Sequence, residues 1–192
     1  MALFTAAEVR SAFKAQQPHL EYKSADMALF KEQIESIDRT GQEHDVFISY
    51  SHLDEELVLG VVYILRNRFR LRVYVDRDDT TLSPDDVEVA TQLKRRMRYC
   101  LSLVYIASDN DARSHWTPWE LGFFDGFRGT VAVLPITEQA STQPPHDRPY
   151  LRIYPYLDAT AMTLWVNDRK GGYRNVKEWL RDGGQFAAAA AR

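Results

Sequence analysis

Glu120 stands in Trp116-Thr-Pro-Trp-Glu-Leu-Gly122, a single carboxylate inside an aromatic first helical turn. Earlier in the chain, His44-Asp-Val-Phe-Ile-Ser-Tyr-Ser51 is an apolar run that ends abruptly in small and polar groups. A strand end rich in hydroxyls and a helix offering one acid in an aromatic wall would together grip a polar small molecule that contains an aromatic ring. Phe47, Ser49, Tyr50, Ser51 and His52 are the candidates on the strand side; Trp116, Trp119 and Glu120 are those on the helix side. Each has a plainer reading. Ser49–His52 also fit turn chemistry and capping, a loop histidine is often incidental although it titrates near neutral pH, and the two tryptophans can pack the core and leave only Glu120 exposed. Glu120 itself also reads as a surface glutamate favoured in a first turn by the helix dipole.

The elements that must position these residues follow from the apolar pattern. Val46–Tyr50, Leu71–Val75, Leu101–Ala107 and Thr130–Ile136 are nearly continuous apolar runs, the mark of strands covered on both faces. Between them, Leu53–Phe69, Asp86–Tyr99 and Trp116–Phe127 carry helical spacing. Ser114 is a candidate cap and Pro118 suits an early helical position. Strand alternating with helix means βαβ units and a parallel sheet. A further edge strand is expected near Arg152–Tyr156, with Pro155 arguing against a central place, and a last helix near Tyr173–Arg181. The expectation is an α/β three-layer sandwich, flavodoxin-like, with about five parallel strands and a site at their carboxyl ends, where strand order reverses. Residues 1–43 read as a helical N-terminal extension, with Met27, Phe30, Ile34 and Ile37 on one stripe that either packs on the body or joins copies of the chain. The body spans 44–182, and 183–192, with its alanine run, is expected to be a disordered tail.

Bulk composition excludes several classes. The 192 residues are 45% hydrophobic and 27% charged with a net charge of −3, so nothing draws the whole chain to nucleic acid or an anionic membrane. Cys100, the only cysteine, permits no internal disulfide, which fits a reducing compartment. No signal peptide is visible and no apolar stretch approaches the roughly 18 residues of a membrane span, so a cytoplasmic protein without membrane contact is expected. Asp76-x-Asp78-x-Thr80 hints at a calcium loop, but Thr81 replaces the required glycine and Val87 holds the bidentate position. No metal-site, Walker or dinucleotide-glycine motif occurs. Lys94-Arg95-Arg96 with Arg98 is a basic helical patch, read as a solvated face or a partner contact.

The ordered set of motifs resembles the TIR domain family. Asp45-Val-Phe-Ile-Ser-Tyr50 is similar to its first box. Val73-Tyr-Val-Asp-Arg77, before an acidic loop containing Ser83-Pro84, is similar to its second box and the loop after the second strand. Leu103-Val-Tyr-Ile-Ala-Ser108 resembles its third strand, and Trp116-Thr-Pro-Trp-Glu120 resembles the Trp-x-x-x-Glu helix of members that consume NAD. The resemblance implies an enzyme that breaks the nicotinamide–ribose bond of NAD, its substrate, with no cofactor. The product is ADP-ribose or a cyclised isomer. In bacteria such proteins act in anti-phage defence, as in the Thoeris system, where the product signals to a downstream effector. Other members are non-catalytic adaptors that act through TIR–TIR assembly, so self-association is expected on either reading.

Cleaving that bond builds positive charge on the ribose, which one nearby carboxylate can stabilise while holding the sugar hydroxyls. Nicotinamide is a good leaving group, so a second carboxylate acting as general acid is unnecessary. The resemblance gives this part to Glu120. Asp76 and Arg77 would lie at the second strand end, where Arg77 either neutralises a pyrophosphate or pairs with its acidic neighbours. The axon-degeneration enzyme of this family carries arginines directly after the first box; Ser51 and His52 stand here, so its phosphate contacts do not transfer.

Overall fold

Both faces of β2 (His44–Ser49) are covered, which is why Val46, Phe47 and Ile48 are all buried. A computed structural model describes residues 2–16, 43–75, 86–108, 116–141 and 149–186. β1 (Phe4–Thr5) leads into α1 (Ala6–Gln16). After β2, a short 3₁₀ turn (His52–Asp54) opens α2 (Glu55–Asn67), followed by β3 (Val73–Val75), α3 (Asp86–Arg98), β4 (Cys100–Ala107), α4 (Thr117–Phe127) and β5 (Val131–Thr137). A second 3₁₀ turn (Pro149–Ile153) precedes β6 (Tyr156–Ala159), β7 (Leu164–Asn167), β8 (Tyr173–Asn175) and α5 (Val176–Arg181).

The sheet order is β3-β2-β4-β5-β6-β7-β8, with β1 added beside β5. The pairs from β3 to β6 are all parallel. Numbered among themselves these five strands run 2-1-3-4-5, the flavodoxin-like order, whose direction reverses between β2 and β4. β7 and β8 then continue antiparallel.

Alternation along each strand divides the core in two. Val46, Ile48, Val104, Ile106, Ala132 and Leu134 pack under α1, α2 and α5 through Val9, Val58, Val62, Leu65 and Trp179. Phe47, Leu103, Tyr105, Val131 and Val133 face α3 and α4 through Leu93, Met97, Leu121 and Phe124. The result is the expected three-layer sandwich.

Three details depart from expectation. The strand expected at Arg152–Tyr156 is displaced: residues 149–153 coil as a 3₁₀ turn and β6 begins only at Tyr156. Pro155 cannot donate, but its carbonyl accepts from Val133 N at 2.9 Å and starts the pairing. The expected Tyr173–Arg181 helix is split, because Tyr173–Asn175 pairs with β7 and Asn175 then caps α5 by accepting from Lys177 N. The described terminal segments, residues 2–16 and 183–186, pack on the body. β1 pairs with β5 at Phe4↔Ile136, and α1 lies so close to α2 that a Cβ on Gly60 would overlap the Val9 carbonyl. Gly184 N bonds Trp179 O at 2.9 Å and Phe186 packs on the first core. The Met27–Ile37 stripe, Ser114 and the Asp76–Pro84 stretch lie outside the described residues.

Candidate active site

α4 turns Thr117, Glu120, Leu121 and Phe124 toward the sheet, the i, i+3, i+4, i+7 stripe of a covered helix. Three of the four suit a covered position; the glutamate does not, because an unpaired carboxylate removed from water costs several kcal/mol. Glu120 is 7% exposed. One partner comes from β2: Ser49 Oγ donates to Glu120 Oε2 at 2.5 Å. Glu120 also lies in the first turn, where the helix dipole favours negative charge. Pro118 occupies an opening helical position, where its missing N–H costs nothing.

α4 is held at both ends. Thr117 Oγ1 donates to the Tyr50 carbonyl at 3.2 Å, one residue beyond Ser49. At the far end Tyr154 Oη donates to Asp125 Oδ2 at 3.0 Å. The acid is therefore fixed at the carboxyl end of β2, beside the reversal point between β2 and β4.

The structure brings some of the sequence candidates together and separates others. Ser49 and Glu120 touch, and Tyr50 meets the start of α4 through its backbone. Ser51 is 1% exposed, and its carbonyl accepts from Asp54 N in the turn that contains His52. Trp116 packs edge-on to Trp119, whose ring stacks on Phe123 with Lys94 Nζ 5.7 Å above it. Both tryptophans are half-buried against the α3–α4 core, so the alternative in which only Glu120 is exposed is not what is seen. Phe47 is fully buried and stacked on Tyr74; its ring is core. Asp76 and Arg77 lie outside the described residues.

One residue escaped the sequence reading. Asp54, 1% exposed, accepts from Ser108 Oγ at 2.5 Å and so ties the end of β4 to the turn after β2. An aspartate just before a helix reads as an N-cap, yet its side chain makes no capping bond. Only its closeness in space to the β4 end reveals the role. Among the described residues no three His, Cys, Asp or Glu side chains group to hold a metal ion.

Comparisons with known proteins identify the family. A family model described as "TIR domain" matches residues 46–180. The chain is 30% identical over 193 residues to a "Probable 3' cyclic ADP-D-ribose synthase ThsB'" of Bacillus cereus (strain MSX-D12), covering 94% of this chain and 99% of that protein. It is 27% identical over 101 residues to a "Putative cyclic ADP-D-ribose synthase TIR2" of Cytobacillus dafuensis, covering 50% of this chain and 26% of the other. With a family model spanning most of its length and a relative aligned almost end to end, the chain belongs to the TIR domain family.

Proposed function

We propose that this TIR protein cleaves NAD at the nicotinamide–ribose bond and closes the ADP-ribose onto itself, with Glu120 as the catalytic carboxylate. The observation that carries the reading is the buried, hydroxyl-held Glu120 at the carboxyl strand ends beside the sheet's reversal point. The bond that breaks joins ribose C1′ to the pyridinium nitrogen. Its electron pair leaves with nicotinamide, which becomes neutral, and the ribose takes up the positive charge. Glu120, negative and already in place, stabilises that charge without reorganising. An oxygen then bonds to C1′ and loses its proton, and a hydroxyl of the same molecule gives a cyclic product. The names of both relatives, each a cyclic ADP-D-ribose synthase, support a cyclic product.

The setting follows the same reading. No helix of the described residues is long and apolar enough to cross a membrane; we place the protein in the cytoplasm, acting in anti-phage defence with its nucleotide passed to a downstream effector. Ser51, His52, Asp76, Arg77, Trp116 and Trp119 are assigned to the substrate's surroundings, and copies of the chain associate when active.

The test is purified protein with NAD, with products followed by mass spectrometry. Nicotinamide and a nucleotide one water lighter than ADP-ribose are expected. Glu120→Gln should lower turnover by about 10²–10³ while leaving the melting transition cooperative. Wild-type turnover in that variant would remove Glu120 from the mechanism. No nicotinamide at any protein concentration, with and without lysate from phage-infected cells, would favour the non-catalytic adaptor.

A further inference from the structure

We propose that Ser49 is a positioning residue: its hydroxyl, delivered by the last residue of β2, holds Glu120 Oε2 and aims the carboxylate at the sugar. The proposal rests on Glu120 being the catalytic acid. Residue type alone groups Ser49 with Ser51 and Tyr50 as groups a ligand would touch. The geometry assigns it differently. A serine hydroxyl has one proton, and Ser49 commits it to Glu120 across 2.5 Å, with both side chains buried.

The placement follows from strand periodicity. Ser49 lies two residues after Phe47 and opposite Tyr105, and both rings face the α3–α4 core. The same alternation points the Ser49 side chain at α4, at the level of its first turn. β2 is bonded on both sides, to β3 and β4, so the hydroxyl is mounted on one of the stiffest parts of the molecule. The next residue repeats the attachment, since the Tyr50 carbonyl receives Thr117 Oγ1. The last residue of β2 and the residue after it thus set where α4 begins and which way its acid points.

The bond also has a chemical consequence. A hydrogen bond to a carboxylate is charge-assisted and is stronger in a dry surrounding than in water. A glutamate side chain has three rotatable torsions. With one oxygen held, the carboxylate enters the reaction in one orientation, and a misplacement of about 1 Å is enough to cost on the order of 10² in rate.

The test compares Ser49→Ala, Ser49→Thr, Glu120→Gln and the Ser49→Ala/Glu120→Gln double variant in the full chain, by steady-state NAD turnover and thermal melting. Ser49→Ala is expected to lower kcat by roughly 10–10² with KM within about twofold, the pattern of a group that acts on the transition state. Ser49→Thr, which keeps the hydroxyl, should recover most of kcat. Adding Ser49→Ala to Glu120→Gln should cost nothing more, because a residue acting only through the acid has nothing left to position. A raised KM with kcat unchanged in Ser49→Ala would make Ser49 a ligand contact and overturn the proposal, as would a further loss in the double variant. If Ser49→Ala does not fold, Ser49→Cys carries the same comparison with a weaker donor: an intermediate kcat supports positioning and an unchanged one overturns it. Wild-type turnover in Glu120→Gln would instead strike the catalytic reading, so the two failures are distinct.

Discussion

Burial pushes the Tyr154 hydroxyl up to about 12, and the hydrogen bond and negative charge of Asp125 add to the shift. The neutral phenol is favoured in the folded state. Its contribution to stability is therefore complete below the ordinary value of about 10 and is lost as pH rises through about 12. Phenolate absorbance during an alkaline titration should show one tyrosine ionising late. Asp125→Asn should bring that step down while leaving it above the ordinary range, since burial remains. Asp158 presents the opposite problem. Burial raises its carboxyl above the usual range, a hydrogen bond with Asn167 offsets part of this, and Oδ1 is buried without a partner. A raised carboxyl favours folding only while protonated, so its contribution is present below the ordinary value of about 4 and is lost as pH climbs through the folded one. Asp158→Asn is thus expected to raise Tm near neutrality. Differential scanning calorimetry should find the gain shrinking to nothing in acid.

At the scale of elements, α1 and α2 meet where Gly60 leaves no room for a side chain over the Val9 carbonyl. Gly60→Ala adds one methyl group at that contact and should cost about 1–3 kcal/mol, the usual penalty for overpacking. Chemical denaturation would read it as a lower midpoint with an unchanged slope, and NAD turnover below the transition should stay as in the parent. Neither β1 nor this contact was visible beforehand. A two-residue strand has no period to detect, and glycine inside an apolar helix does not announce what approaches it. β2, β4, β5 and the helices between them were legible because long apolar runs covered on both faces leave an unambiguous pattern. β6 to β8 were blurred because strands of only three or four residues are too short to show a period. The site was legible to the same extent. Ser49 and Glu120 could each be placed at the strand ends, but the bond between them joins positions 71 apart and depends on the tilt of α4. Asp54 was hidden by its likeness to a helix cap.

At the scale of the whole molecule, the reversal point lies at the carboxyl ends of the parallel strands, and the acidic segment after β3 follows a strand that ends on that same side. If that segment completes a neighbour's pocket, specific activity should rise with protein concentration. Reversing charge at Asp78 and Asp79 should then weaken sedimentation of the associated species and turnover together. Charge reversals that change turnover at constant sedimentation would make the segment a lid over its own site. The covered face of α4 bears on a different kind of experiment. A leucine or methionine at position 120 suits a covered stripe better than a carboxylate, and an alanine at position 49 would leave no hydroxyl stranded opposite it. Replacing a buried polar pair by apolar groups of similar volume is often neutral or stabilising, and functional sites commonly cost a protein stability. A library selected only for heat resistance should therefore drift toward apolar residues at both positions. Its winners would melt later than the parent and leave NAD untouched, so a breeder of tougher variants must screen for nicotinamide release in every round.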